Sequence, residues 1–356
     1  MKPKNLRTLR RAIDRLDEQI VGLLNQRTAY AVDIGKVKQQ GGKPVYMPAR
    51  EQQVYAHLKN TNRGPLTDAT LTAIYREVMS GTLMLQRPLQ VAFFGPVATF
   101  THLASLKKFG SQVTFHGVAS ITDVFLEVER GRCEYGVVPV ENSIEGAVNH
   151  TLDMFIESDL KICAEVLLDI SHNLLGRGPL RRIKRVYSNP MVFGQCRLWL
   201  ESNLPGRELI EVSSTTRAAE IAGRQKDSAA IASSVAAQEY RLAILAESIE
   251  DNPHNMTRFL VIGKDQTPAS GADKTSIVLA IKDRVGALYD LLYPFKTARI
   301  NLTKIESRPS KRKAWQYYFY VDFNGHAGEP RVQRALRAIE QRCSFFKILG
   351  SYPLEK

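Results

Sequence analysis

Three apolar periods follow one another along the chain. In residues 6–86, Ile13, Leu16, Ile20, Leu23, Leu24, Ala31 and Ile34 recur at steps of three and four, the spacing of one face of a long helix. GGKP at Gly41–Pro44 breaks that helix, and a second is predicted from Ala49 to Lys59. TNRGP interrupts again, and a third helix begins near Asp68, carrying Leu71, Ile74, Val78 and Leu85. After Pro88 the period changes. LQVAFFG, YGVVPVENS, IKRVYSNP, SAAIASS and TRFLVIG each read as a short strand entering a turn, with helical stretches such as THLASLKKFG between them. That alternation predicts an α/β domain, whose ligands sit where strands end and loops or helices begin. QTPASGAD, Gln266–Asp273, reads as a linker. Beyond it TSIVLAIK, VGALYDLLYPFKTA, NLTKIESRP, AWQYYFYVDF, EPRVQRALRAIEQRC and FFKILGSYP give the order βαββαβ, a small ferredoxin-like module. Three domains are therefore expected, over residues 1–88, 89–265 and 274–353.

Composition narrows the class. A chain of 356 residues is too long for one ordinary core, and its 44% apolar and 24% charged residues suit a globular protein. No apolar stretch is long enough for a membrane span, and the N-terminus has no apolar signal core, so a cytoplasmic location is expected. Four cysteines without a CxxC pair predict reduced thiols, with neither a disulfide framework nor a metal site. The net charge of +13 is spread along the chain without a nucleic-acid-binding motif, which favours a basic surface and small dianions over nucleic acid.

Candidate chemistry begins with Arg27, which falls at the seven-residue step of Ile13, Ile20 and Ile34, on the stripe expected to face a core, where a guanidinium needs an anionic partner. Lys38 lies on nearly the same line of the helix, about 16 Å further along its axis. Arg10 is about 25 Å from Arg27 and about 100° around the helix, so one small ligand could reach both only if Arg10 came from a second protomer. Thr82 and Gln86 share a face of the third helix.

The text LRRAIDRLDEQIVGLLNQR, IGKVK, KPV followed by ARE, and TLMLQ resembles the all-helical chorismate mutase family over residues 6–87. The resemblance implies that Arg10, Arg27 and Arg50 bind the two carboxylates of chorismate. It also implies that Lys38 and Gln86 bond the ether oxygen whose bond breaks, and that Glu51 holds the substrate hydroxyl. Thr82 stands where the family often has serine, and Met47 where it often has aspartate. A Claisen rearrangement needs a compact substrate and positive charge near the separating oxygen, which a cage of cations provides.

GPVATFTHLA, PVENSIEGAV, VYSNPMVFGQC, SSTTRAAEIA, SAAIASSVAA and NMTRFLVIG, in that order, resemble the prephenate dehydratase family over about residues 89–264. That family implies a two-lobed α/β domain like those of periplasmic binding proteins. It makes Thr257 the essential threonine, with Thr99, Glu141, Asn142, Ser143, Gln195, Thr215 and Arg258 as contacts for prephenate. Val97, Ala98 and Asn189 depart from the family's usual Glu, Gly and His.

The βαββαβ unit resembles an ACT domain, with GAL (Gly286, Ala287, Leu288) and ESRP (Glu306, Ser307, Arg308, Pro309) as the phenylalanine-responsive motifs. The resemblance implies L-phenylalanine bound between modules of two subunits, hence a homodimer or larger assembly. The three together resemble the bifunctional family in which an isomerase precedes a carbon–oxygen lyase, neither needing a cofactor. A chain retaining one activity, or a binding protein on the same folds, is the competing reading.

Overall fold

The computed structural model describes residues 5–41, 46–282, 284–310 and 316–355. The GGKP breaker beyond Gly41 and the whole KPV motif lie outside them. The chain divides into two compact units, one of Met1–Met47, Gln53–Leu89 and Phe109–Thr114, the other of Pro48–Gln52, Gln90–Lys108 and Phe115–Lys356.

Three helices head the chain: α1 Leu6–Gln40, α2 Pro48–Thr61 and α3 Asp68–Gln86. The Asn5 and Thr67 side chains cap α1 and α3, supplying acceptors to backbone N–H groups that no earlier turn can satisfy. Arg27 meets Tyr75, and Gly35 lies against Gln86. The C-terminal half of α1 therefore runs beside α3 in the same direction. α1 has 35 residues and α3 has 19. At about 1.5 Å per residue, the N-terminal half of α1 extends past the end of α3. The stripe expected to face a core is exposed, Ile13, Leu16 and Ile20 along the overhanging half and Ile34 on the half that runs beside α3. The helix was legible, but its intrachain burial was not.

In the second unit β1 (Gln90–Phe94), α4 (Phe100–Phe109), β2 (Thr114–Val118), α5 (Ile121–Glu129), β3 (Tyr135–Asn142), β4 (Gly146–Ala147), α6 (Asn149–Glu157) and β5 (Lys161–Asp169) come first. Next come β6 (Asn173–Gly176), β7 (Arg185–Ser188), α7 (Pro190–Gln195), α8 (Arg197–Asn203), β8 (Glu208–Glu211), α9 (Thr215–Arg224), β9 (Ser228–Ala232), α10 (Ser234–Glu239), β10 (Ala243–Ala246) and β11 (Met256–Gly263). They form two sheets, ordered β2-β1-β3-β11-β5 and β10-β6-β9-β7-β8. β11 returns to the first sheet and lies antiparallel between β3 and β5. Central placement explains its run of buried residues, since both edges are paired and both faces covered. The strand starts at Met256, so Thr257 and Arg258 lie within it and are buried.

The last module has β12 (Asp273–Ile281), α11 (Ala287–Thr297), β13 (Leu302–Pro309), β14 (Tyr317–Asn324), α12 (Pro330–Glu340) and β15 (Cys343–Pro353). Its antiparallel order β13-β14-β12-β15 is ferredoxin-like. One continuous core holds Val138, Val140 and Leu260 of the first sheet with Val278, Tyr320 and Leu349 of this one. The connector between them is pinned. Thr267 bonds the Cys163 carbonyl, and Asp273 accepts from Ser270 and Gly271, so the segment is an ordered turn where a linker was expected.

Candidate active site

Thr257 and Asn142 are cross-strand partners in the β11–β3 register. The Asn142 Oδ1 accepts from the backbone N–H groups of Ile144 and Glu145, which fixes the amide with its nitrogen toward β11. That Nδ2 donates to Thr257 Oγ1 at 2.9 Å and to Asn255 Oδ1 at 2.6 Å. Thr257 is therefore held as an acceptor. Among the described residues its own hydroxyl proton has no acceptor, so it is available to a ligand.

The cluster extends to the second sheet. Gln195, ending α7, donates to Glu145 Oε1 at 2.9 Å. Its Oε1 receives Asn255 Nδ2 at 3.4 Å and faces His172 Nε2 at 2.8 Å. Since Oε1 is an acceptor, the imidazole carries its proton on Nε2, and Nδ1 is buried without a partner. Burial pushes the His172 pKa down, outweighing Gln195 and Glu250, so the ring is neutral. Phe100 stands edge-on to this imidazole, 5.6 Å between ring centres. A cavity of about 340 Å³ opens here, lined by Ile144, Glu145, Met191, Gln195 and Asn255.

The structure thus brings Thr257, Asn142 and Gln195 together. Ser143 supports them indirectly, its hydroxyl bonding the His254 carbonyl and accepting from Met256 N–H. Thr99 leads into α4, donating to the Pro96 carbonyl and accepting from His102 N–H. Thr215 opens α9 behind its Ser214 cap, and no hydrogen bond ties it to the cluster. Asn189 caps α7 and so sits at the head of the helix that delivers Gln195.

Glu141 and Arg258 go elsewhere. Successive strand residues point to opposite faces, so the pair beside Thr257 and Asn142 faces away from the cluster. Arg258 reaches Glu141 at 2.8 Å, Asp322 at 2.6 Å and Glu165 at 3.2 Å, with Tyr352 Oη at 3.3 Å. Lys274 holds Glu165 at 2.7 Å, and Lys304 is paired to Glu141. Burial would raise the Glu141 pKa, but Arg258 and Lys304 together hold it below the usual carboxylate range. A guanidinium committed to three carboxylates is not aimed at a substrate. Asn255, Glu145 and His172 were not among the expected contacts; Asn255 and Glu145 sit inside quoted motifs, while His172 is a lone histidine with no sequence signal.

In the helical unit, Arg10 is exposed on α1. The Arg27 guanidinium is 5.8 Å from the Tyr75 ring centre and keeps Nη1 buried without a hydrogen-bond partner. A cation so placed is ready for an anion. Lys38 is half-buried one turn beyond Gly35, where the Gln86 side chain packs so closely that a Cβ at Gly35 would lie 2.8 Å from Gln86 Cγ. Thr82 Oγ1 donates back to the Val78 carbonyl at 2.7 Å. Met47 precedes α2 as its N-cap, and Arg50 is exposed in its first turn. Buried Glu51 already holds Lys108 at 2.8 Å.

In the last module Gly286 caps α11 with φ 77°, a left-handed conformation that glycine adopts without strain. Ala287 and Leu288 begin the helix. Glu306, Ser307, Arg308 and Pro309 end β13, the edge strand, and Arg308 pairs with Asp153 at 3.1 Å.

Comparison with known proteins matches residues 9–87 to the family Chorismate mutase type II, 91–267 to Prephenate dehydratase and 275–341 to the ACT domain. A bifunctional chorismate mutase/prephenate dehydratase from Aquifex aeolicus is 48% identical over 98% of each chain, and one from Pseudomonas aeruginosa is 46% identical over 98% of this chain and 97% of that one. The crystal structure of an Arthrobacter aurescens prephenate dehydratase in complex with L-Phe superposes with TM-score 0.69 at 34% identity, covering 75% of this chain and 90% of that one.

Proposed function

The chain belongs to the bifunctional chorismate mutase/prephenate dehydratase family, and from that premise we propose which side chains serve each reaction. It converts chorismate to prephenate and prephenate to phenylpyruvate, with L-phenylalanine as feedback effector. Domain limits of 1–88, 89–265 and 274–353 and a cytoplasmic location go with this reading. No described helix is long and apolar enough to cross a membrane.

In the dehydratase step the ring carboxylate leaves as CO2, its C–C electron pair enters the ring, and the ring C–O bond breaks with its pair on oxygen. One proton is taken up overall, so water departs and phenylpyruvate remains. Hydroxide leaves poorly without a donor. Thr257 fills that role, because Asn142 occupies its oxygen while its proton stays unclaimed. That is the observation that carries the assignment. Gln195 and Asn255 orient the substrate's oxygens, and Glu145 and His172 hold Gln195 in place. Thr99, Ser143 and Thr215 line the surroundings.

For the mutase step, Arg27 and Lys38 hold chorismate's carboxylate and ether oxygen, with Gln86 as a second donor to that oxygen. Arg10 completes the cage from a second copy, whose α1 covers the exposed stripe of the first. The assembly is then at least a homodimer, with phenylalanine bound at Gly286–Leu288 and Glu306–Pro309.

Thr257→Ala should lower dehydratase kcat about 100- to 1,000-fold, the usual cost of one transition-state donor, and Thr257→Ser should restore most of it. Mutase turnover, followed as chorismate consumption, should be unchanged. Dehydration persisting in the alanine variant would overturn the assignment.

A further inference from the structure

Resting on the dehydratase reading, we infer that Lys304, Glu141 and Arg258 form an ionic coupling that carries the state of the regulatory sheet to Thr257 and Asn142. Three observations converge. Arg258↔Glu141 and Thr257↔Asn142 are adjacent pairs in one β-ladder, so the first cannot shift without moving the second. The ladder register slips just after Arg258, the kind of local bulge that re-aims a neighbouring side chain. Every partner of Arg258 other than Glu141 and Glu165 comes from the regulatory sheet, Asp322 on β14 and Tyr352 on β15.

The network balances its charges and is buried at its centre. Three cations, Arg258, Lys274 and Lys304, face three carboxylates, Glu141, Glu165 and Asp322. Glu165 is 2% exposed and Arg258 8%, so water cannot replace a lost partner at that centre, while the Lys304–Glu141 end is more open, with side chains 15% and 28% exposed. Such networks favour discrete arrangements over gradual yielding. Lys304 lies two residues before Glu306 on the same face of β13, the strand that ends in the expected effector residues. β13 is tied to the catalytic domain by Lys304–Glu141 and Arg308–Asp153. A ligand that displaces β13 therefore pulls on Glu141, and through the ladder on the Asn142 amide that orients Thr257. Arg258 and Glu141 act as positioning residues, not substrate contacts.

The full-length protein tests this with Lys304→Met, which cuts the link on the regulatory side. L-phenylalanine binding by calorimetry should stay within about threefold, uninhibited dehydratase turnover likewise, and the concentration for half-inhibition should rise at least about tenfold, within the usual range of allosteric coupling. Lys304→Arg should restore inhibition. Inhibition unchanged in Lys304→Met, or lost together with phenylalanine binding, overturns the coupling. A parallel arm uses Arg258→Lys. Dehydratase kcat should fall about tenfold or more with KM within about twofold, as misplacement of a catalytic group predicts. A large rise in KM at constant kcat would make Arg258 a substrate ligand and sink the inference. Wild-type protein that lacks dehydration altogether would remove the functional reading beneath it, a failure visible before any variant is made.

Discussion

The α1 helix carries an apolar stripe and the β11 strand an apolar run, yet the two end in opposite environments. Ile13, Leu16 and Ile20 of α1 are 55%, 56% and 51% exposed, while Phe259 and Val261 of β11 are 2% and 0% exposed. The strand is covered because β3, β5 and the regulatory module all come from its own chain. The helix outruns α3, and among the described residues the apolar stripe of its first half stays exposed. Polar groups divide the same way. Each guanidinium has a buried nitrogen without a hydrogen bond, but Arg258 is surrounded by three carboxylates, whereas Arg27 has the Tyr75 ring as its described neighbour. One site is completed by the fold of a single chain, and the other is left with apolar surface and cationic capacity to spare.

The largest test of this contrast removes a carboxylate from each region. Glu165→Leu leaves Arg258 and Lys274 short of a counter-charge inside the core and should cost about 3–5 kcal/mol in urea denaturation. Asp33→Asn breaks the Lys36–Asp33 pair on α1, whose side chains are 67% and 69% exposed, and should change stability by less than about 0.5 kcal/mol. Similar costs for both would erase the distinction.

A second test charges the uncovered stripe. Ile20→Glu should reduce the assembly size measured by light scattering and lower mutase kcat/KM about 100-fold, the scale set by losing one donor such as Arg10. Dehydratase activity should hold, because β11 owes nothing to α1 for its burial. Unaltered assembly and mutase turnover would mean that the stripe is not an interface between copies.

These two regions also show what the sequence could and could not convey. The three-to-four period located α1–α3, short apolar runs entering turns located β1, β3, β7, β9 and β11, and the turn after β3 put Asn142 at a strand end. A period identifies a face that avoids water without saying which chain covers it, so the α1 stripe was read as core. Charged residues inside a strand were harder still. Glu165 interrupts the apolar run of β5, and Arg258 precedes that of β11, because their counter-ions Asp322 and Lys274 lie far along the chain. Nothing local to Arg258 distinguishes a guanidinium aimed at a ligand from one buried among carboxylates. Alternation in the strand does so only once the site face is known, and Asn142 bonding Thr257 identifies that face.

The smallest expected effect is on pH, and it too separates the regions. Burial is the main cause that lowers the His172 and His102 pKa values, against weaker opposing pulls from Gln195 and Glu250 on the first and Glu239 on the second. Their folded values lie below the ordinary value of about 6.5, so the unfolded chain binds protons first as pH falls. Stability from these groups is complete above that value and is lost as pH drops toward the folded values. The geometry gives the same sign. His102 Nδ1 accepts from Ala98 N–H at 3.2 Å, and a proton there would set one N–H against the other. His172 Nδ1 has no acceptor to receive a new N–H. Both rings belong to the catalytic unit, while the sole histidine of α1–α3, His57, is exposed. Dehydratase activity should therefore decline as pH falls below about 6.5 while mutase activity persists, and thermal melts should show a matching loss of stability. In a His102→Asn/His172→Gln variant, whose amides do not titrate, that slope should flatten; if it survives, the two imidazoles are not its source.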